Sequence, residues 1–289
     1  MILFLEGLAF FSYVVIVWND YENFGNYLPI VFISSVIPFL FIVWGVILLN
    51  ELIVIFAFLF KLSFFPFVWW FPFLSSFLNF FLFFILGIVN KIFPLLMIFL
   101  NHLVSFNVLF FMSILTIFIS LINLIMFQND LKVFFAWSSN INFGWIIILM
   151  SQVWLGGLVY LVIYVSLISL LFLYIEENGL FFDQFLNNSI NTVLIILVVL
   201  VSFLGLPPFL GFLYKFILIN SLVNFDYMQL SALIMITLIM LLTFNSFVYI
   251  NILFKLNVLK HIMVYNNVSS SVLLGIIMYI LISISLLSL

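Results

Sequence analysis

The chain has 289 residues, of which 69% are hydrophobic and only 5% are charged, and its net charge at pH 7 is −3. So little polar surface excludes a soluble globular protein of this length, and so small a net charge gives no argument for binding nucleic acid. The chain contains no cysteine, which excludes disulfides and iron–sulfur clusters held by its own residues.

Long apolar runs separated by short polar breaks follow one another along the whole sequence. About 20 residues of helix cross roughly 30 Å of hydrocarbon, whereas the strands of a transmembrane barrel alternate apolar and polar residues. We therefore predict an all-α polytopic membrane protein with about ten transmembrane helices, forming a single domain over residues 1–289. The predicted spans are residues 2–18, 27–49, 52–70, 76–103, 108–127, 131–150, 154–175, 190–223, 228–254 and 270–289.

Two of these spans are predicted to be broken helices. In the fourth span Pro94 follows Lys91, and in the eighth span Pro207 and Pro208 interrupt a run that is too long for one straight crossing. Proline removes a backbone hydrogen bond and opens the helix before it. Interrupted segments at corresponding positions of two halves point to a transport site near the membrane midplane.

Apart from Lys132 at the start of the sixth span, four charged residues lie inside these apolar spans: Glu6, Lys61, Lys91 and Lys215. A charge at bilayer depth costs at least roughly 2.5–3.5 kcal/mol, so such residues are usually paired or belong to an ion or proton path. Glu6 and Lys61 are predicted to form an ion pair, which can serve a proton path or only fix helix packing. For Lys91 and Lys215 the alternative is a lysine that extends to the membrane surface from a helix end.

Polar uncharged residues cluster in the sixth span, where Ser138, Ser139, Asn140 and Asn142 fall within one and a half turns. They can hold water or form hydrogen bonds between helices, and simple packing is an equally good interpretation. We expect this patch and the three buried lysines to form one row near the membrane midplane. The sequence has no metal-ligand spacing, nucleophile triad or phosphate loop.

Several stretches resemble, in order and spacing, the motifs of the NADH dehydrogenase subunit 2 family, the antiporter-like subunits of mitochondrial complex I. Residues 61–72 (KLSFFPFVWWFP) resemble its K-L-G-x-x-P-F-H-F-W-V-P, and residues 90–94 (NKIFP) resemble its Q-K-x-A-P. Residues 205–215 (GLPPFLGFLYK) resemble its G-L-P-P-L-T-G-F-L-P-K, and residues 128–145 resemble a motif ending in A-Y-S-S-x-x-H-M-G-W. Leu5 and Glu6 resemble the start of its glutamate helix.

The resemblance implies an antiporter-like fold and a function in proton translocation coupled to NADH oxidation and quinone reduction. It implies that Glu6 and Lys61 are the coupling pair, Lys91 the central relay lysine and Lys215 the exit-side lysine, with Ser138, Ser139 and Asn142 as a supporting polar path. NADH, FMN, iron–sulfur clusters and ubiquinone would lie in other subunits, with no cofactor or metal in this chain.

The implied location is the mitochondrial inner membrane, with lipid, other membrane-arm subunits and neighbouring antiporter-like subunits as partners and no nucleic acid. Two other functions stay open at this point: a standalone cation/proton antiporter subunit, and a structural membrane scaffold without its own proton path. The scaffold interpretation predicts that neutralising Lys91 leaves turnover intact.

The sequence departs from the family pattern at three places. Asn142 stands where the motif has a histidine, and asparagine cannot take up a proton. Val68 replaces another histidine of the motif, and Phe73 replaces an acidic residue that follows it. The chain also begins almost at the glutamate helix, so the N-terminal edge of the antiporter-like fold is expected to be trimmed and covered by lipid or a neighbouring subunit.

Overall fold

The fold is all helical in the part of the chain that the computed structural model describes. These residues are 7, 14, 24–100, 106–127, 130–176, 198–203, 210–223 and 230–255. They belong to two compact units, residues 1–151 and residues 152–289. The prediction of one continuous transmembrane domain stays a prediction.

The first unit contains seven helices and one π-helical turn among its described residues. They are α1 (Phe24–Ile47), α2 (Glu51–Leu62), α3 (Trp70–Ser75), α4 (Phe80–Phe84), the π turn (Ile85–Val89), α5 (Asn90–Leu100), α6 (Phe106–Met126) and α7 (Leu131–Gln152), whose last residue crosses the boundary between the units. The second unit contains α8 (Trp154–Glu176), a helical piece at 198–203, α9 (Leu210–Val223) and α10 (Leu230–Lys255).

Five helices in the described residues are long and apolar enough to cross a membrane. They correspond to the second, fourth, fifth, sixth and seventh predicted spans, and α10 corresponds to the ninth. The five are Pro29–Ile47, Phe80–Phe99, Val108–Met126, Lys132–Gln152 and Trp154–Phe172. The first and tenth predicted spans lie wholly or almost wholly outside the described residues.

Helix α7 lies in the interior, because residues 134–150 are buried on all sides. Helix α6 has two different faces. One face exposes large apolar side chains, which suits contact with lipid, and the other buries a polar stripe of Ser113, Thr116, Ser120 and Asn123. A helix that is buried all round needs apolar residues in every direction, as α7 has except at its polar patch.

The third predicted span is wrong at its end. The apolar run continues to Trp70, but helix α2 ends at Leu62 and residues 63–69 are not helical. Ser63 adopts the left-handed conformation with φ 57° and ψ 49°, and its N–H bonds to the Phe60 carbonyl at 3.1 Å. The N–H of Phe64 bonds to the Leu59 carbonyl at 2.8 Å. These two bonds form a Schellman motif, which ends a helix whatever the hydropathy of the residues that follow.

The predicted opening of the fourth span near Lys91 is not confirmed. Instead the helix changes from α to π over Ile85–Val89 and returns to α at Asn90, whose N–H donates to the Ile85 carbonyl five residues back. Pro94 lies inside helix α5. A π turn widens the helix by one residue without breaking it. The second predicted break, at Pro207 and Pro208, lies outside the described residues.

The second unit is held together by close packing of small and aromatic side chains. Gly156 of α8 lies against Ile217 of α9, where an added Cβ would meet Ile217 Cγ2 at 3.1 Å. The ring of Phe203 lies 6.0 Å from Tyr164 of α8 and 5.9 Å from Tyr249 of α10, between ring centroids. The contact between Gly156 and Ile217 packs α8 against α9, which carries Lys215.

Candidate functional site

The candidate site surrounds Lys91, the second residue of helix α5. Its side chain is 0% exposed, and it is the only charged side chain in the buried class among the described residues. A buried ammonium group costs several kcal/mol unless it is well paired and hydrogen-bonded. The groups around Lys91 Nζ therefore decide what this lysine can do.

Two neutral oxygens accept hydrogen bonds from Lys91. Its Nζ lies 2.7 Å from Ser63 Oγ and 2.7 Å from Asn140 Oδ1. The Asn140 amide nitrogen faces the Val68 carbonyl at 3.4 Å, which turns the amide oxygen towards the lysine. A protonated lysine has three donors and no acceptor, so a pair of oxygens aimed at Nζ matches the charged form.

An aromatic face provides a third contact. Lys91 Nζ lies 4.5 Å from the ring centroid of Phe71 and 5.4 Å from that of Phe143. Such cation–π contacts stabilise a desolvated ammonium by about 2 kcal/mol. Gly87, in the π turn, makes room for the Phe71 ring, because a Cβ at that position would overlap the ring. Ser63, Asn140, Phe71 and Phe143 are named here the Lys91 cage.

The cage contains no carboxylate among the described residues. The hydrogen bonds of Lys91 go to a hydroxyl and an amide, and both groups are neutral at every ordinary pH. A fixed carboxylate would hold the proton on the lysine by charge attraction. Among the described residues, dipoles and ring faces are what offsets the desolvation of a charged Lys91.

Ser63 belongs to the cage because helix α2 ends at Leu62, directly before it. The left-handed conformation of a residue other than glycine costs roughly 1–2 kcal/mol. The K-L-G-x-x-P motif has glycine at this position, and this chain has a serine whose hydroxyl lies in the cage. The Phe60 carbonyl at the helix end accepts a further bond from Trp70 Nε1 at 2.8 Å, which ties α3 to the end of α2.

The other predicted charged residues are placed differently. Lys61 is half-buried in the last turn of α2, two positions before Ser63. Lys215 is half-buried in α9 of the second unit. Glu6 lies outside the described residues, so its ion pair with Lys61 stays a prediction. The common row of lysines near the membrane midplane also stays a prediction.

The polar patch of α7 contributes one residue to the cage, Asn140. Ser138 and Ser139 are buried, and their hydroxyls donate to carbonyls of their own helix, Phe135 at 2.9 Å and Ala136 at 2.8 Å. The Asn142 amide donates to the Ser138 carbonyl at 2.9 Å. In the described structure these three side chains have no hydrogen bond to Lys91.

Sequence reasoning missed Ser63, Phe71, Phe143 and Gly87 as parts of the site. No local signal marks Phe71 among 42 phenylalanines. The sequence did contain a signal for Ser63, because this serine replaces the glycine of the K-L-G-x-x-P motif. Gly87 precedes Lys91 by one helical turn, and a glycine one turn away on the same helical face indicates a close neighbour.

Comparison with known proteins places the chain among antiporter-like membrane subunits. Residues 2–243 match the model of the NADH:quinone oxidoreductase/Mrp antiporter transmembrane family. The NADH-ubiquinone oxidoreductase chain 2 of Aedes aegypti is 33% identical over 165 residues, which cover 56% of this chain and 48% of that protein. The same-named protein of Strongylocentrotus purpuratus is 30% identical over 190 residues, covering 62% and 52%. The chain thus spans about half the length of the curated relatives it matches.

Two solved structures share the fold. One is a chain of respiratory complex I from Thermus thermophilus, with a TM-score of 0.74 and 17% identity over 87% of this chain and 64% of that chain. The other is a chain of the membrane-bound sulfane sulfur reductase, an archaeal respiratory membrane complex, with a TM-score of 0.76 and 17% identity over 98% and 68%. At this identity the similarity describes the fold.

Proposed function

The chain belongs to the NADH:quinone oxidoreductase/Mrp antiporter transmembrane family, and we propose that it is a proton-translocating membrane-arm subunit of NADH:ubiquinone oxidoreductase. In this function it couples NADH oxidation and quinone reduction, carried out in other subunits, to proton movement across the mitochondrial inner membrane. Its partners are other membrane-arm subunits, including neighbouring antiporter-like subunits, and lipid. No redox group, cofactor or metal is assigned to this chain.

The observation that carries the proposal is the Lys91 cage. Lys91 is fully buried, and its Nζ contacts Ser63 Oγ and Asn140 Oδ1 at 2.7 Å each, with Phe71 beneath it. Ionisable residues inside membrane spans commonly belong to ion or proton paths. The cage consists of neutral groups, so no fixed negative charge within it holds the proton on Lys91. The charge on Lys91 can therefore follow that of neighbouring groups.

The remaining roles follow from the same proposal. Glu6 and Lys61 form the coupling pair, and Lys61 lies two positions from the cage residue Ser63. Lys215 is the exit-side lysine, and Ser138, Ser139 and Asn142 support the polar path. The break at Pro207 and Pro208 remains part of the proposed antiporter-like mechanism. In the fourth span Pro94 lies inside helix α5, and the π turn before Lys91 is the observed departure from α-helix.

Replacement of Lys91 by methionine tests the proposal. Methionine keeps most of the side-chain volume and removes the charge, so Lys91→Met should assemble into the complex yet lower the ratio of protons pumped to electrons transferred. The matched control is Lys132→Met. Lys132 is half-buried near the start of α7, with its Nζ 5.4 Å from the Phe80 ring centroid, and lies outside the cage.

The two alternatives give different results in the same experiment. For a structural scaffold, Lys91→Met would leave both turnover and the proton-to-electron ratio at parental values, and the proposal would be wrong. For a standalone cation/proton antiporter, the parent chain would not copurify with NADH-oxidising activity, and proton movement would depend on a cation gradient instead of NADH.

A further inference from the structure

Ser63 combines two features that rarely occur together. Its backbone lies in the left-handed region, with φ 57°, where glycine or asparagine is the usual residue. Its side chain is fully buried, with its hydroxyl at the Lys91 ammonium. Backbone strain in a buried residue persists only where the surrounding structure supports it, and such residues concentrate at functional sites.

The hydroxyl of Ser63 differs from the other oxygen of the cage. Asn140 Oδ1 is an acceptor only, whereas Ser63 Oγ accepts from Lys91 at 2.7 Å and has one proton of its own to donate. Two acceptors lie within reach of that proton, the Leu62 carbonyl at 2.6 Å and Asn140 Oδ1 at 2.7 Å. Ser63 thus joins the end of α2 to the lysine of α5 and the amide of α7.

We propose that Ser63 is a positioning residue for Lys91, which holds the ammonium over the Phe71 ring and links it to the end of α2. The left-handed conformation places the Ser63 hydroxyl at the ammonium. If helix α2 continued beyond Leu62, the Ser63 backbone would be helical and its hydroxyl would have a different position. The inference rests on the proposed function of Lys91 and adds to it the residue that fixes the orientation of the lysine. It also connects the cage to the helix that carries Lys61.

The substitution Ser63→Gly separates the hydroxyl from the backbone. Glycine accepts the left-handed conformation without strain, which offsets part of the stability lost with the hydrogen bond, so the variant should be more heat-stable than Ser63→Ala. It removes the hydrogen bond that positions Lys91, so the proton-to-electron ratio should fall below the parental value, towards that of Lys91→Met. Ser63→Ala should show the same loss of pumping together with lower heat stability, because alanine keeps the strain.

The matched control is Ser75→Ala. Ser75 is also fully buried, and its hydroxyl donates to the Pro72 carbonyl at 2.6 Å, whereas the hydrogen bonds of Lys91 go to Ser63 and Asn140. This variant should pump at the parental proton-to-electron ratio. Parental pumping in Ser63→Gly would overturn the proposal, and so would a loss confined to Ser63→Ala, since that pattern would trace the effect to backbone strain alone.

A double-mutant cycle with Lys91→Met distinguishes this proposal from the proposed function. In the methionine background Ser63 Oγ no longer accepts a bond from Lys91, so Ser63→Gly should raise the midpoint of thermal inactivation, whereas in the parent the lost hydrogen bond offsets that gain. Strictly additive midpoints would overturn the positioning role. Parental pumping in Lys91→Met would instead overturn the proposed function, whatever the thermal data show.

Discussion

The amide oxygen of Asn140 and the ammonium nitrogen of Lys91 lie 2.7 Å apart, although the residues are 49 positions apart in the chain. The contact joins the fully buried helix α7 to helix α5, just beyond its π turn. Because the Asn140 amide nitrogen faces the Val68 carbonyl, the amide cannot rotate without losing both contacts. The two contacts orient the Asn140 amide with its oxygen towards the lysine.

Replacement of Asn140 by leucine tests this contact. Leucine has a similar shape and no acceptor, so the ammonium of Lys91 loses one of its two oxygen partners. We expect a loss of stability of about 1.5–3 kcal/mol, the value of a hydrogen bond to a charged group, and a lower proton-to-electron ratio. The measurements are thermal inactivation of the purified assembly and proton pumping in vesicles.

The matched control for this variant is Asn123→Leu. Asn123 is also a buried asparagine, and its amide donates to the Ile119 carbonyl of its own helix at 2.8 Å. It should leave the proton-to-electron ratio unchanged. An equal effect of the two variants on pumping would contradict a specific role for Asn140.

Substitution of Gly87 by alanine should destabilise the site through the Phe71 ring. A Cβ at this position overlaps the ring, which lies beneath Lys91 Nζ. Overpacking of a tight interior costs about 1–3 kcal/mol, and the displaced ring would weaken the contact with the ammonium. Gly156→Ala provides a graded comparison, since its Cβ would meet Ile217 Cγ2 at 3.1 Å and needs only a small adjustment. The prediction fails if the two variants have equal thermal stability.

Substitution of Trp70 by phenylalanine should loosen the end of helix α2. It removes the bond from Nε1 to the Phe60 carbonyl, and we expect a loss of about 0.5–1.5 kcal/mol. Trp69→Phe is the control, because the Trp69 side chain is 54% exposed. Thermal inactivation midpoints compare the two variants. If Trp69→Phe were the more damaging, the Trp70 bond would not be what stabilises this helix end.

The proposed pair of Glu6 and Lys61 predicts a non-additive pair of substitutions. Removing one partner of a buried ion pair leaves the other charge uncompensated and costs about 3–5 kcal/mol, whereas removing both costs less. Glu6→Gln and Lys61→Met should therefore each lower the amount of assembled complex, and the double variant should recover part of it. Membrane content of the complex, measured by native electrophoresis, provides the readout. A double variant as low as the product of the two single effects would argue against the pair.

The sequence alone determined where several of the long apolar helices begin and end. Helices α6, α7, α8 and α10 begin and end within about two residues of the predicted spans, because a membrane helix needs about 20 apolar residues and ends near a polar break. Lys91 could also be selected as a site residue from sequence, since a charge within such a run must find polar partners in the interior.

Only the tertiary structure decided which partners Lys91 has. Helix α2 ends at Leu62 in the middle of an apolar run, because two backbone bonds around Ser63 and the Trp70 side chain satisfy the carbonyls at its end. Hydropathy averages over side chains and is insensitive to such backbone bonds.

Of the polar residues in the α7 patch, Asn140 reaches the lysine while Ser138 and Ser139 bond to their own helix. That choice depends on how α5 and α7 are rotated towards each other, and side-chain packing sets the rotation.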